Sequence, residues 1–144
     1  MNKQYVMDNF SLEGRKAIVT GAAQGMGRSI AEALHDAGAI VALVDYSASV
    51  KETAKQMDET GKSVLPFQAD LSKREEIDRV FSEVMQAFDG HIDILVNNAG
   101  ITRRHKPEEF PREDWDAVIN VNMNAVWFLS QLAGQIMLKQ GYGK

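Results

Sequence analysis

The chain has 144 residues, 44% of them hydrophobic and 25% charged, which is ordinary for one globular domain. Its net charge of −4 gives no electrostatic basis for binding nucleic acid or an anionic membrane. There is no cysteine, which excludes disulfides, thiolate metal sites and cysteine nucleophiles. Because no apolar run is long enough for a signal peptide or a membrane span, we expect a cytoplasmic protein.

The first predicted elements alternate between strand and helix. A polar tail over residues 1–9 precedes a strand over 16–20, a glycine-rich turn over 20–27 and a helix that ends near Gly38. Residues 39–44, AIVALV, are apolar at every position, which favours a parallel strand covered on both faces.

A weaker helical pattern leads to a third strand over residues 63–70. Pro66 has no N–H for a neighbouring strand, so this strand is predicted at a sheet edge. A clearly amphipathic helix follows, and Ser72 and Glu75 have the spacing of a capping box at its start. A fourth strand is predicted over 92–96.

The last predicted element is one long helix over residues 112–139. Trp127, Phe128 and Leu132 make a second side of it apolar, so we expect it to pack against a second subunit in a homo-oligomer. Its predicted inward stripe consists of Trp115, Val118, Ile119, Asn122, Val126, Leu129, Ala133 and Ile136.

This alternation predicts an α/β fold: a doubly wound parallel sheet of the Rossmann type. Right-handed crossovers favour the strand order 3-2-1-4. In that order the fourth strand is an apolar and unprotected edge, which is an unfavourable place for a parallel sheet to end. We therefore expect residues 10–144 to form an incomplete dinucleotide-binding domain.

The turn over residues 20–27, TGAAQGMG, has the glycine spacing of a dinucleotide-binding loop. Gly21 would permit the tight turn, Gly25 the close approach of a pyrophosphate, and Gly27 the close packing of helix against strand. The helix N-terminus adds unpaired N–H groups and partial positive charge. An ordinary glycine-rich turn is the alternative, and the flanking strand and helix argue against it.

Asp45 ends the second strand at the position of a carboxylate that binds the adenosine ribose. It would accept hydrogen bonds from both ribose hydroxyls and repel the extra phosphate of NADP, so NAD is the expected cofactor. Gln24 and Tyr46, which could reverse this preference, carry no positive charge. Met26, which lies between Gly25 and Gly27, is also expected to contact the cofactor. For Asp45 alone, a solvated strand end is the alternative.

Two other kinds of site are disfavoured. A triphosphate-binding loop that starts at Gly21 would need glycine where Met26 stands. The three histidines, His35, His91 and His105, lack the spacing of metal ligands, so no metal site is predicted.

Three motifs follow one another along the chain: TGAAQGMG over residues 20–27, Asp70-Leu71 after the third strand, and NNAG over residues 97–100 after the fourth. They resemble the cofactor loop, the adenine-contacting turn and the motif beneath the cofactor of the short-chain dehydrogenase/reductase family, and the resemblance covers residues 10–144. The loop over residues 101–111 looks most like the gluconate 5-dehydrogenase and 2-deoxygluconate 3-dehydrogenase branch of that family. The resemblance implies cofactor contacts from Asp70, Leu71, Asn97, Ala99 and Gly100.

The segment Val121-Asn122-Met123 resembles the family segment that bears a catalytic asparagine, so the resemblance implies that Asn122 holds a water in a proton relay. An inward amide needs polar partners, and neighbouring backbone would serve equally well. The family's catalytic serine and Tyr-x-x-x-Lys pair, whose lysine lowers the pKa of the tyrosine, do not occur in the sequence. The chain by itself is therefore expected to be inactive.

The loop over residues 101–111, ITRRHKPEEFP, follows the NNAG motif and would overhang the cofactor. Arg103 and Arg104 could bind the carboxylate of a small-molecule substrate such as a sugar acid, although a solvated basic loop is an equal alternative. Hydride transfer between NAD and a secondary alcohol or ketone is the expected function. Two other classes stay open: a non-catalytic dinucleotide-binding or scaffold protein completed by a partner, and a methyltransferase, against which the NNAG turn argues.

Overall fold

Four parallel strands form a single sheet in this computed structural model, which describes residues 3–144. Their order is β3-β2-β1-β4, so the predicted doubly wound sheet and its 3-2-1-4 order are confirmed. The strands are β1 Lys16–Thr20, β2 Ile40–Asp45, β3 Val64–Gln68 and β4 Ile94–Val96.

Helices connect the strands and cover both faces of the sheet. They are α1 Lys3–Phe10, α2 Gly25–Asp36, α3 Val50–Met57, α4 Arg74–Ala87, α5 Arg112–Ile119 and α6 Ala125–Gln140. A short 3-10 turn spans Pro107–Glu109, and a π-helical segment, Asn120–Asn124, joins α5 to α6.

Helix α1 lies in the segment predicted as a polar tail. Its side chains bond along the helix, from Gln4 to Asp8 at 2.6 Å and from Asn9 to the Tyr5 carbonyl at 2.7 Å. Such side-chain bonds to a residue four positions away stabilise a helix, and because they involve polar side chains, hydrophobic periodicity does not register them.

Side chains of alternating strand residues build a core on each face of the sheet. Ala17 and Val19 of β1 pack toward α2 and α3, whereas Ile18 packs toward α4 and α6. Residues 41–44 of β2 are buried on both faces, as their unbroken apolar run predicted.

The prediction that the third strand lies at a sheet edge is confirmed, and Pro66 pairs there opposite Leu43. The predicted capping box at α4 is wrong. Helix α4 starts one residue later than predicted, with Lys73 as its N-cap and no side-chain capping bond, and the Ser72 hydroxyl donates to the Asp70 carboxylate at 2.6 Å in the preceding turn.

The predicted single helix over 112–139 is divided by the π segment. Trp115 is 59% exposed and Asn122 is also exposed, so placing them on the inward stripe was wrong. Ala125, Leu129 and Ala133 are the buried residues of α6. A π turn adds a residue and rotates the helix face, so one 3.6-residue stripe cannot extend through it.

The edge strand β4 is half-buried along its whole length. The Lys144 N–H donates to the Asp93 carbonyl at 2.9 Å, and the Leu95 N–H donates to the Lys144 carbonyl at 2.9 Å. These two bonds have the pattern of a parallel bridge, so the last residue lies alongside β4.

Asp93 ties the start of β4 to the start of β1. Its buried carboxylate accepts hydrogen bonds from Arg15 Nη1 and the Lys16 N–H, both at 2.9 Å, and lies 3.1 Å from His91 Nε2. Burial alone would raise the pKa of Asp93, but the bonds from Lys16, His91 and Arg15 outweigh burial and hold that pKa below its usual value.

We predict that Asp93→Asn lowers the free energy of unfolding by about 2 kcal/mol, because charge-assisted bonds to two elements are lost. A lowered folded-state pKa stabilises the protein fully above the unfolded-state value of about 3.9, and this stabilisation is lost as the pH falls through the folded value. Urea unfolding from pH 7 to pH 3 measures both effects.

Asp89→Asn is the matched control. Asp89 is 92% exposed, lies 3.5 Å from Lys16 and has φ 53°, which asparagine tolerates. Its effect should stay within about 0.5 kcal/mol. Equal losses in the two variants would contradict the assigned role of Asp93.

Candidate dinucleotide site

A cleft of about 670 Å³ opens at the carboxyl ends of the strands. The strands β2 and β3 lie on one side of β1 and β4 lies on the other, so the strand order reverses between β1 and β4. Open α/β sheets bind ligands at such a point. The cleft is lined by these residues of the predicted cofactor set: Gly21, Gln24, Gly25, Met26, Gly27, Asp45, Tyr46, Asp70, Leu71, Ala99 and Gly100.

Two glycines are required by close packing beneath the cleft. A Cβ on Gly27 would overlap the Gly21 carbonyl oxygen and lie 2.5 Å from Asn98 Nδ2. Gly21 has φ 67°, and a Cβ there would lie 2.9 Å from Ala99 Cα. The N-terminal turn of α2 therefore packs directly on the backbone of the turn after β1 and on the Asn98 side chain, and the turn after β1 packs on the backbone of the turn after β4.

Gly25, unlike Gly21 and Gly27, is not required by close packing, because the space around it is empty. Its φ is 58°, and an added Cβ would meet nothing within 4 Å. The adjoining Gln24 forms no side-chain hydrogen bond to the start of α2. Bare backbone and an uncapped helix N-terminus therefore face open space, an arrangement that fits the diphosphate of a dinucleotide.

Asp45 lines the cleft at the end of β2 and is held by backbone. Its Oδ2 accepts the Ala23 N–H at 2.9 Å, and its Oδ1 accepts the Ser47 N–H at 2.8 Å. Each carboxylate oxygen keeps a further lone pair, so the group can still accept two ribose hydroxyls. No ion pair neutralises Asp45 within residues 3–144.

Thr20 and Asn98 join the glycine turn to the turn after β4. Thr20 Oγ1 accepts the N–H groups of Asn98 and Ala99 at 3.1 and 3.0 Å. Asn98 Nδ2 donates to the carbonyls of Thr20 and Gly21 at 3.0 and 3.2 Å. These bonds fix the floor of the cleft across two strands.

Asn98 lines the cleft, whereas Asn97, the asparagine assigned to the cofactor from the sequence, does not. The Asn97 side chain donates to Ser130 Oγ on α6 at 3.1 Å. Consecutive side chains near a strand end point to opposite faces, so only one of the pair can face the cleft. This alternation along the strand was the sequence signal that only one of the two asparagines would face the cleft.

Asp70 and Leu71 form the cleft wall after β3. The Asp70 carboxylate accepts the N–H and hydroxyl of Ser72 at 3.0 and 2.6 Å, and Lys73 Nζ lies 3.5 Å away. Burial tends to raise the pKa of Asp70, but these bonds and the Lys73 charge lower it overall. The carboxylate thus shapes the turn that carries Leu71.

Asn122 lies in the π segment and does not line the cleft. Its Oδ1 accepts the Ile101 N–H and its Nδ2 donates to the Ile101 carbonyl, both at 2.9 Å. The side chain therefore positions the loop that follows the NNAG motif. The water-holding role implied by the family resemblance stays a prediction.

The two arginines of the loop are placed differently. Arg103 lines the cleft and lies 3.4 Å from Asp114 of α5. Arg104 is exposed, lies outside the cleft and has no ion pair in the described part of the chain. His105 Nε2 lies 2.7 Å from the same Asp114 carboxylate, which holds the loop against α5.

The family model of the short chain dehydrogenases matches residues 15–144. The chain belongs to the short-chain dehydrogenase family. It is 45% identical over 140 residues to the 2-dehydro-3-deoxy-D-gluconate 5-dehydrogenase of Bacillus subtilis, covering 97% of this chain and 54% of that protein. It is 35% identical over 136 residues to the NAD-dependent glycerol dehydrogenase of Listeria innocua, covering 94% and 52%.

Solved structures agree with this membership. The gluconate 5-dehydrogenase of Burkholderia cenocepacia, in complex with NADP and tartrate, superposes with a TM-score of 0.84 at 32% identity, over 96% of this chain and 54% of that one. The chain thus spans about half the length of the relatives it matches. A short-chain dehydrogenase sequence also rules out the methyltransferase alternative.

Several lining residues of this short-chain dehydrogenase were not identified from its sequence. Ile101, Ala117 and Val121 are apolar residues of the cleft lining. Ala117 and Val121 are separated from the glycine turn by most of the chain, and only the fold brings them to it. Ala69, Ser72 and Asn98 complete the missed set.

Within residues 3–144, no three His, Cys, Asp or Glu side chains are grouped so that they could hold a metal ion. None of the helices in this range combines the length and apolar character needed to cross a membrane.

Proposed function

We propose that the chain is the cofactor-binding half of a dehydrogenase that transfers hydride between NAD and a secondary alcohol or ketone. The observation that carries this proposal is the open backbone at Gly25, beside the uncapped start of α2 and within the same cleft as Asp45. A diphosphate and a ribose diol have complementary partners there.

NAD rather than NADP is the cofactor we propose. Similar structures contain NADP, whereas a similar glycerol dehydrogenase is NAD-dependent. Among the described residues, Arg103 is the one cationic residue that lines the cleft, and it follows β4, whereas Asp45 and Tyr46 lie at the end of β2. A phosphate about 4 Å from a carboxylate is repelled by about 4 kcal/mol at an effective dielectric constant of about 20.

Arg28 is the nearest cation to the glycine turn in sequence, and it is already engaged. Its Nε bonds Glu32 at 2.8 Å and its Nη1 bonds Gln56 at 3.1 Å. A phosphate on the ribose would therefore have to displace existing partners, which supports the preference for NAD.

The bound dinucleotide would supply the hydride acceptor or donor, while this chain binds it and orients it. The serine, tyrosine and lysine that perform acid–base chemistry in the family have no counterpart in these 144 residues. We therefore propose that this chain alone binds cofactor without turnover, and that the whole enzyme acts on a sugar acid, the class named for two similar proteins.

A non-catalytic dinucleotide-binding protein completed by a partner is the second candidate. The outer edge of β4, opposite β1, favours it, because that edge is half-buried and pairs only with Lys144 among the described residues. Nicotinamide absorbance with polyols and sugar acids separates the two: turnover by the whole protein supports the enzyme, and cofactor binding without turnover supports the second candidate.

Gly25→Ala should abolish most NAD binding, lowering affinity at least about tenfold, because a methyl group would occupy the phosphate approach. Gly61→Ala is the matched control, since Gly61 has φ 65° and open surroundings but lies outside the cleft. Both should lose about 1 kcal/mol of stability from left-handed strain. Calorimetry with NAD measures the contrast, and equal NAD affinities would contradict the proposed phosphate path.

Arg103→Ala should raise the KM of the whole enzyme for a sugar acid by about tenfold and leave the KM for a neutral polyol unchanged, because one carboxylate contact is lost. Arg104→Ala serves as the control outside the cleft. Steady-state kinetics test this. If neither substitution changes the KM for sugar acids, the sugar-acid proposal fails.

We propose that the protein is a homo-oligomer through the helical segment 112–140. Trp115, Met123 and Trp127 are 59%, 57% and 64% exposed on it, a large apolar surface for a helix in water. Trp127→Glu should shift the sedimentation coefficient toward that of a monomer. Phe10→Glu, at an exposed position of α1, should leave it unchanged. If the protein without substitutions sediments as a monomer, the proposal is overturned.

A further inference from the structure

Thr53, a buried residue of α3, contacts the glycine turn from beneath. Its Oγ1 lies 2.7 Å from the Ala23 carbonyl oxygen and 3.2 Å from the Ser49 carbonyl oxygen in its own helix. A hydroxyl has one proton to donate, so the shorter contact to Ala23 takes it. A threonine that only bonded back along its helix would instead be closest to residue 49.

Ala23 is thereby held at both of its backbone groups. Its N–H donates to Asp45 Oδ2 at 2.9 Å, and its carbonyl accepts the Thr53 hydroxyl. Ala23 is itself buried, so without Thr53 its carbonyl would lack this partner and stay away from water.

The orientation of the next N–H follows from the planar peptide unit. In a trans peptide the carbonyl of one residue and the N–H of the next point in opposite directions. Because the Ala23 carbonyl is directed at the buried Thr53 hydroxyl, the Gln24 N–H is directed away from Thr53, and Gln24 is one of the residues that line the cleft.

We propose that Thr53 is a positioning residue for the dinucleotide: through Ala23, it fixes the Gln24–Gly25 bend in the orientation that receives the diphosphate. The inference rests on the proposed function, because it needs a dinucleotide in the cleft. Thr53 itself does not line the cleft, so its effect on binding is indirect.

The experiment compares three ligands by titration of the purified chain: NAD, ADP-ribose and adenosine, the first two by calorimetry and the third by NMR. Thr53→Val keeps the side-chain shape and removes the hydroxyl. It should weaken NAD and ADP-ribose about tenfold and leave adenosine, which has no phosphate, within about twofold. Thr53→Ser restores the hydroxyl and should return both affinities toward those of the parent.

Thr60→Val is the matched control, since Thr60 bonds Asp58 outside the cleft, and it should change none of the three affinities. Thr53→Ala replaces the valine variant if that variant does not fold. Unchanged NAD affinity without the hydroxyl overturns the inference. So does an equal loss for all three ligands, or a failure of serine to rescue, because either result indicates a purely structural role. If the parent chain binds none of the ligands, the proposed function itself fails.

Discussion

The absence of a side chain at Gly27 is the constraint on which the cleft depends. No Cβ fits between the start of α2, the Gly21 carbonyl and the Asn98 amide. Because the helix comes this close, its N-terminus opens onto the carboxyl ends of β1 and β4. The Thr20 and Asn98 hydrogen bonds then join those two ends. The proposed binding of the diphosphate depends on this backbone packing, since residues 20–27 contain no cationic side chain.

The carboxylates of Asp93 and Asp45 lie at opposite ends of the sheet and have different roles. At the amino ends of β1 and β4, Asp93 holds Arg15 and the Lys16 backbone in a buried, charge-assisted cluster. At the carboxyl ends, Asp45 also accepts two N–H groups but keeps acceptor capacity for a ligand. A satisfied carboxylate stabilises the fold at one end, and one with spare lone pairs prepares a binding site at the other.

Sequence patterns predicted the elements whose causes are local. The apolar run of β2, the donor-free Pro66 at the sheet edge and the glycine spacing all express rules of backbone geometry. The wrong predictions concern side chains whose orientation depends on contacts with residues distant in the sequence. Asn122 was expected to face inward, but the π segment turns it to the Ile101 backbone. Whether Asn97 or Asn98 faces the cleft also depended on packing, because the Asn97 side chain donates a hydrogen bond to Ser130 of α6.

We propose that Asp45 receives the adenosine ribose and that this carboxylate thereby selects NAD over NADP. The most direct measurement is calorimetric titration of NAD and NADP into the parent chain and into Asp45→Asn. We predict that the parent binds NAD at least about tenfold more tightly than NADP, and that the neutral amide narrows this ratio because the repulsion of the phosphate is lost. Equal affinities in the parent chain, or a ratio that Asp45→Asn leaves unchanged, would contradict the account.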